Sequence, residues 1–302
     1  MSERAKGYGR TLALGALLAV PLLSTSARAE APSSVDEAGP ENENARHEID
    51  RTWLYADDAR VATPLAVTGM TNVSYTSVGS RPGSGASPYN AFASNLAQPG
   101  GLVSAGGEVG LFPRVSVMAL GQMAMGGEAA GLSPGAIAGV RVQLLPSAWT
   151  HTHLVASFGY LREAWSGPVF TDTGTWVPGS AHGGNGAWVQ AAFVKDIQRL
   201  RLATTVHGEH VFSNGRDGVD VMVQAGASYR VAGRFRAGVE YVGQDLEETS
   251  SPSAEGGARH FVGPVASLQL LGDRLTIVAG PSVGLSAYSP SVLGRLALAY
   301  GF

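Results

Sequence analysis

From residue 62 to the end of the chain, apolar residues alternate with small or polar residues in one stretch after another. In residues 219–231, valine, alanine and tyrosine fill the odd positions, whereas Asp220, Gln224, Ser228 and Arg230 are among the even positions. Successive side chains of a β-strand point to opposite faces, so each such stretch predicts a strand with one apolar face. Repeated stretches of this kind, each about ten residues long or slightly longer, are typical of a transmembrane β-barrel.

The alternation predicts twelve strands, at 63–76, 101–112, 115–126, 136–145, 152–163, 186–197, 200–212, 219–231, 235–244, 259–270, 275–286 and 291–302. Odd-numbered connections are long or rich in Gly, Ser and Pro, and even-numbered ones are short. Long external loops alternating with short periplasmic turns are typical of bacterial outer-membrane barrels. We therefore predict an all-β fold, an antiparallel up-and-down transmembrane barrel at residues 62–302 in a bacterial outer membrane. The alternative, a periplasmic β-sandwich, would need more mixed charge on its surface.

Composition excludes several classes of function. Only 15% of the residues are charged, against roughly 25% in an ordinary soluble domain. The chain has no cysteine, which excludes thiolate catalysis, cysteine-ligated metals, disulfides and a lipoprotein anchor. A formal charge of −3 gives no reason to expect nucleic acid as a partner. We find no catalytic constellation, expect no cofactor and no metal, and predict that the protein is not an enzyme.

The N-terminus has the features of an export signal. Arg4, Lys6 and Arg10 precede an apolar run at 11–23, and Ala27-Arg28-Ala29 fits a cleavage site. The run is too short for a membrane-spanning helix, which needs about 20 apolar residues. We predict a cleavable signal peptide at 1–29, followed by an acidic periplasmic leader at 30–61. Residues 30–60 hold nine acids and three bases, a net charge of −6, and we expect this leader to be partly disordered or a short helix.

The last ten residues, LGRLALAYGF, end in Phe302 after alternating apolar residues. This ending resembles the C-terminal assembly signal of Gram-negative outer-membrane proteins, which implies recognition by the barrel-assembly machinery. The stretch DRTWLYADDAR, residues 50–60, resembles a stretch of myxobacterial proteins and implies no function. Expected partners are outer-membrane lipid, lipopolysaccharide, the assembly machinery and a small-molecule cargo that the sequence does not identify.

If the apolar faces meet lipid, the charged side chains point into the lumen, because a charge in hydrocarbon is costly. The basic lumen residues are then Arg201, Arg230, Arg236, Arg141 and Arg295, and the acidic ones are Glu108, Glu209, Asp220 and Glu240. Pairing 212 with 219 and 231 with 235 would place the first three arginines side by side near the periplasmic mouth. Such a ring selects or binds anions; alternatively, its long side chains reach periplasmic water and carry no function.

Two further hypotheses concern how the lumen closes and opens. The acidic leader lies close to the predicted arginine cluster, and we expect it to dock there as a plug or gate. Pro264 and Pro281 fall opposite each other on neighbouring strands, and neither can donate a ladder hydrogen bond. They form a weak seam for lateral exit of an apolar substrate, or else a local kink that helps the barrel to curve.

The stretch from His210 to Arg216 resembles the His-x-Ser-Asn-Gly-Arg segment of outer-membrane phospholipase A, which implies a histidine base and a serine nucleophile. Here His210 and Ser213 are three residues apart, which puts them on opposite faces of a strand. The function favoured by the sequence is a passive narrow pore, or a barrel that transports or binds a small molecule, with an arginine-lined periplasmic mouth. A structural or surface-interaction barrel with a filled lumen is the alternative, and a lipid-active enzyme is the third.

Overall fold

A computed structural model describes residues 57, 59–76, 100–125, 133–145, 151–165, 169–170, 176–177, 182–212, 219–244, 246, 258–286, 289 and 291–302. All of them belong to one unit, Asn44–Phe302. The predicted signal peptide and most of the predicted leader lie outside the described residues. Within the described part of the chain, no helix is long and apolar enough to cross a membrane.

Twelve antiparallel strands close into one barrel, which confirms the predicted fold. The strands of the chain are β1 (Val67–Thr76), β2 (Gly100–Phe112), β3 (Val115–Met125), β4 (Ser133–Leu145), β5 (Thr152–Trp165), β6 (Val169–Phe170), β7 (Trp176–Val177), β8 (His182–Ile197), β9 (Leu200–Val211), β10 (Asp220–Ala232), β11 (Phe235–Gln244), β12 (Arg259–Leu270), β13 (Leu275–Gly284) and β14 (Val292–Gly301). The short strands β6 and β7 form a separate two-stranded sheet in the connection between β5 and β8. Each remaining strand pairs with its neighbours in sequence.

The barrel closes where β1 pairs with β14, in a register that runs from Thr68 opposite Gly301 to Thr76 opposite Leu293. The backbone N–H of Phe302 donates to the carbonyl of Val67 at 3.0 Å, which extends the ladder to the end of the chain. Closure leaves no free sheet edge, as a barrel that crosses hydrocarbon requires.

The alternation along each strand separates an outer face from a lumen face. On β9, Arg201, Thr205 and Glu209 are buried, whereas Leu202 and Val206 are exposed. Exposed apolar side chains on the outside and buried polar ones on the inside match a barrel surrounded by lipid. The buried polar side chains of the described strands therefore face the lumen.

The two ends of the barrel differ. At one end, here called the turn end, connections such as 113–114, 198–199, 233–234 and 271–274 join the strands. Several residues of these turns have positive φ, including Gly233 at 47° and Arg114 at 73°. The opposite end carries the longer connections and is called the loop end. The first residue of β1 and the last residue of β14 both lie at the turn end.

The structure differs from the predicted first strand. β1 begins at Val67 rather than at 63, because the preceding residues turn away from the wall of the barrel. The N–H of Ala66 donates to the carbonyl of Thr63 at 2.9 Å, and Leu65, at a φ of 67°, is 89% exposed. The described residues before this turn, 57 and 59–63, lie in the lumen.

Candidate functional site in the barrel lumen

Residues 57–63, of which Asp58 is not described, form what we call the lumen segment. The carboxylate of Asp57 accepts hydrogen bonds from Arg141 Nη2 at 2.8 Å and from Gln190 Nε2 at 2.9 Å. The N–H of Asp57 donates to Thr205 Oγ1 at 3.0 Å. These three partners lie on β4, β8 and β9, so one residue of the segment is held by three strands of the wall.

Ala59 continues the segment into an apolar cluster and is fully buried. Its N–H donates to Asp57 Oδ1 at 2.7 Å, which fixes the local turn of the chain. The wall residues of the cluster come from two separated parts of the barrel: Val155, Ala192, Val194 and Ala203 on β5, β8 and β9, and Val265, Val278 and Ala297 on β12, β13 and β14. The lumen segment therefore bridges walls that are not adjacent, near the turn end.

A second anchor lies on β2. Glu108 Oε1 accepts a hydrogen bond from the N–H of Ala62 at 2.9 Å, and Glu108 Oε2 lies 3.6 Å from Arg141 Nε. Arg141 Nη2 also donates to the carbonyl of Arg60 at 2.8 Å. The side chain of Arg141 thus joins Glu108 of the wall to Asp57 of the segment.

A glycine permits the close approach of the segment to β2. A Cβ placed on Gly110 would lie 1.9 Å from the carbonyl oxygen of Thr63 and 2.5 Å from that of Ala62. Atoms cannot approach so closely, so any side chain at 110 would displace the segment. The carbonyl of Gly110 also accepts the N–H of Leu65 at 2.9 Å.

The predicted arrangement of Arg201 is wrong. Asp220 pairs with Glu209, which places Arg201 opposite Ser228 and not opposite Arg230. On its other side Arg201 lies opposite Asp196 of β8, and its Nε donates to Asp196 Oδ1 at 2.7 Å. The error has a physical cause: the true register differs by two residues from the assumed one, and a shift of two residues keeps every side chain on the same face.

The other two arginines of the predicted ring differ in burial. As predicted, Arg230 lies opposite Arg236; a bulge follows directly, and the side chain of Arg230 is exposed. Arg236 is buried and lies opposite Ser267 on its other side. The predicted side-by-side cluster of three arginines does not form, and Arg141, outside that cluster, is the arginine that holds the leader residue Asp57.

The remaining predicted charges lie in the lumen as expected from their faces. Arg295 Nη1 is 3.3 Å from Glu240 Oε2, and Arg295 Nη2 also donates to Ser282 Oγ. Glu209 Oε2 is 3.1 Å from His207 Nε2, and both side chains are fully buried. Arg141, Arg201 and Arg295 each lie within ion-pair distance of an acidic side chain.

The two prolines face each other across the β12–β13 pair. The register on either side, Val262 opposite Val283 and Ala266 opposite Ala279, places Pro264 opposite Pro281. Both prolines are exposed on the outer face. The ladder has no paired residues at the three positions between these two pairs.

The phospholipase-like stretch can be followed only in part. His210 lies on β9 opposite Ala187, and its ring is 5.1 Å from the ring of Phe212 in an edge-to-face contact. Ser213 lies outside the described residues. Among the described residues, no group of three or more His, Cys, Asp or Glu side chains could hold a metal ion.

Sequence reasoning missed two residues of the site. Asp196 has the same parity as the lumen positions of β8, so the alternation alone could have identified it as an inward acid beside Arg201. Asp57 is one acid among nine in the leader, and no local pattern in the sequence shows that it contacts Arg141, Gln190 and Thr205.

The solved structures that are similar to this barrel include two from bacterial outer membranes. The β domain of the Bordetella autotransporter BrkA is 11% identical, with a TM-score of 0.50 over 78% of this chain and 98% of that chain. An outer membrane channel from Pseudomonas putida F1 is 13% identical, with a TM-score of 0.52 over 81% of this chain and 98% of that chain. No protein-family model and no curated protein matches the sequence. The chain thus has the fold of bacterial outer-membrane β-barrels.

Proposed function

We propose that the protein is an outer-membrane barrel for passive passage of small molecules, closed at its turn end by its own lumen segment. The observation that carries the proposal is the position of Asp57, which accepts hydrogen bonds from Arg141 and Gln190 inside the lumen. The apolar outer face and the fold support the outer membrane as the location. No step of this function requires a cofactor or catalysis.

The contacts of the lumen segment favour a reversible closure of the lumen rather than a permanent one. Its anchors are polar side chains of the wall, and Arg60 of the segment lies 3.7 Å from Asp196 in a partly exposed pair near the mouth. Hydrogen bonds and ion pairs exchange with water at modest net cost, since a typical bond contributes only about 1 kcal/mol net. A few such contacts hold the segment in place without linking it covalently to the wall.

The same contacts argue against a standing anion-selective ring. Arg141 is paired with Asp57 and Glu108, and Arg201 is paired with Asp196. An anion would have to compete with carboxylates already in place. We therefore assign these arginines to closing the lumen, with selectivity a property of the open state.

The test is single-channel conductance of the refolded mature protein in planar bilayers, with and without residues 30–60. Deletion removes Asp57, Ala59 and Arg60, and we expect stable openings only in the shortened protein. Equal conductance of both proteins would refute closure by the segment.

A second candidate, a structural barrel with a filled lumen, is favoured by the full burial of Val242, Phe261 and Leu293 on the lumen face. It predicts that both proteins are silent in the bilayer although both are folded. Heat-modifiable migration in gels, which reports a closed barrel, separates a silent folded barrel from a misfolded one.

A further inference from the structure

The β12–β13 pair contains an interruption of the hydrogen-bond ladder in mid-strand. The N–H of Leu285 donates to the carbonyl of His260 at 2.8 Å, which fixes the phase of the hydrogen-bonded pairs. In that phase Pro264 and Pro281 occupy a hydrogen-bonded pair, yet neither has an N–H to donate. Two ladder bonds are therefore missing at one position.

The interruption extends from the pair at Val262 to the pair at Ala266. Four residues at about 3.3 Å each make a stretch of roughly 13 Å without paired residues. The other strand pairs of the described barrel run without a break, apart from bulges near their ends at Phe112, Leu145 and Ala232. The β12–β13 boundary, here called the seam, thus has the fewest paired residues of any strand pair in the described barrel.

An ion pair covers this seam from inside. Glu240 of β11 lies opposite Gly263 of β12, and Arg295 of β14 lies opposite Gly280 of β13. Glu240 and Arg295 meet at 3.3 Å, so their side chains cross the two strands of the seam. A Cβ added at Gly263 would lie 2.0 Å from the carbonyl oxygen of Pro281, and one at Gly280 would lie 2.1 Å from that of Pro264, so the two backbones pack closely where the pair crosses them. We call this pair the clasp.

Apolar side chains lie directly on the loop side of the clasp. Phe261 and Leu293 are each two residues closer to the loop end than Gly263 and Arg295, and they form one buried cluster with Met222 and Val242. All four side chains are fully buried, so the lumen on the loop side of the clasp is apolar, and a molecule that enters must displace them before it reaches the clasp. Below the clasp, at the turn end, the lumen segment closes the passage.

We propose that the seam is a lateral exit, through which an apolar, membrane-soluble molecule leaves the lumen for the surrounding lipid. The proposal rests on the proposed function, because closure of the turn end makes the seam the remaining way out. An apolar molecule gains by entering hydrocarbon, whereas an ion or a hydrophilic solute would pay a large desolvation cost there. The clasp covers the inner side of the exit.

The experiment links the two strands of the seam with an engineered disulfide, here called the staple. Val262 and Val283 are directly opposite on the outer face, in the phase where Cα atoms lie about 5.5 Å apart, within the range a disulfide needs. The chain has no native cysteine, so Val262→Cys with Val283→Cys forms a single defined bond. The matched control, Ala191→Cys with Val206→Cys, staples β8 to β9 at an outer-face pair of the same phase, where the ladder is intact.

The measurement is uptake of N-phenyl-1-naphthylamine, a neutral apolar dye that fluoresces in hydrocarbon, by Gram-negative cells that produce the full-length protein. We expect the protein to raise uptake, the seam staple to abolish that increase, and a reductant to restore it. The control staple leaves uptake unchanged. A second variant, Pro264→Val with Pro281→Val, restores both ladder donors without a disulfide, and we expect partial loss of uptake.

Uptake that the oxidised seam staple does not lower would overturn the lateral exit, as would uptake no higher than in cells without the protein. The proposed function fails separately. If the protein without residues 30–60 conducts and dye uptake does not respond to the staple, the gated pore is retained and the lateral exit is rejected. Staple-sensitive uptake by a barrel that never conducts would retain the exit and reject an aqueous pore.

Discussion

The substitution Asp57→Asn should release the lumen segment while leaving the wall of the barrel intact. The carboxylate accepts hydrogen bonds from Arg141, Gln190 and the N–H of Ala59. An asparagine of the same shape offers one oxygen instead of two and no charge. Its amide group would also bring donors towards the guanidinium of Arg141, which has only donors to offer.

The magnitude follows from the partners that remain. Removing one member of a buried ion pair costs about 3 to 5 kcal/mol, because the other charge stays buried. Arg141 keeps Glu108 at 3.6 Å and the carbonyl of Arg60 at 2.8 Å, so the lower end of the range applies. About 3 kcal/mol corresponds to a shift of roughly 100-fold in the ratio of open to closed barrels.

The assay is the open probability of single barrels in planar bilayers, measured for the wild-type protein and the variant under the same voltage and salt. Asp273→Asn is the matched control, since it makes the same chemical change in an exposed turn pair with Arg234. We expect the control to behave as wild type. If Asp57→Asn leaves the open probability within a few-fold of wild type, Asp57 does not hold the lumen closed.

Three other predictions concern the wall, the approach of the segment and assembly. Arg201→Gln should lower the stability of the barrel in urea by about 2 kcal/mol, because a charge-assisted hydrogen bond of a buried arginine is lost while its half-buried partner Asp196 keeps Arg60. The exposed Arg234→Gln should cost at most about 1 kcal/mol, and equal losses would contradict the role of burial. Gly110→Ala should open the barrel as Asp57→Asn does. The control Gly121→Ala should not, because the nearest atom to a Cβ added there is 3.9 Å away. Conductance distinguishes the two variants, and a closed Gly110→Ala barrel would mean that the segment tolerates displacement. Deletion of Phe302 should reduce the folded fraction in outer membranes, measured by heat-modifiable migration, and normal yield would remove it from the assembly signal.

The strands could be predicted because lipid demands apolar residues at every second position. On β9 and β10 this demand fixes which side chains face inward, and the structure agrees for Arg201, Glu209 and Asp220. The alternation does not fix register, since sliding a strand by two residues preserves both faces. That is why Arg201 was expected opposite Arg230 and lies opposite Ser228.

The docking of the leader in the lumen was predictable only in outline. The net charge of residues 30–60 indicated that the leader could dock on arginines in the lumen, and the structure shows one leader acid bound there by Arg141. Which acid and which arginine meet depends on where the chain turns before β1. That turn, with Leu65 at positive φ, was hidden because Pro64–Val67 also fits the alternating pattern.

The positions of the lumen contacts along the chain imply an order of folding. Arg201 and Asp196 are five residues apart and lie in one hairpin, so their pair forms as soon as that hairpin does. Asp57 bonds to Arg141, 84 residues away, and to Thr205, 148 residues away, so its docking requires most of the barrel to be in place. Contacts that close long stretches of chain form late. We therefore expect each new copy to pass first through a closed barrel in which the lumen segment has not yet docked.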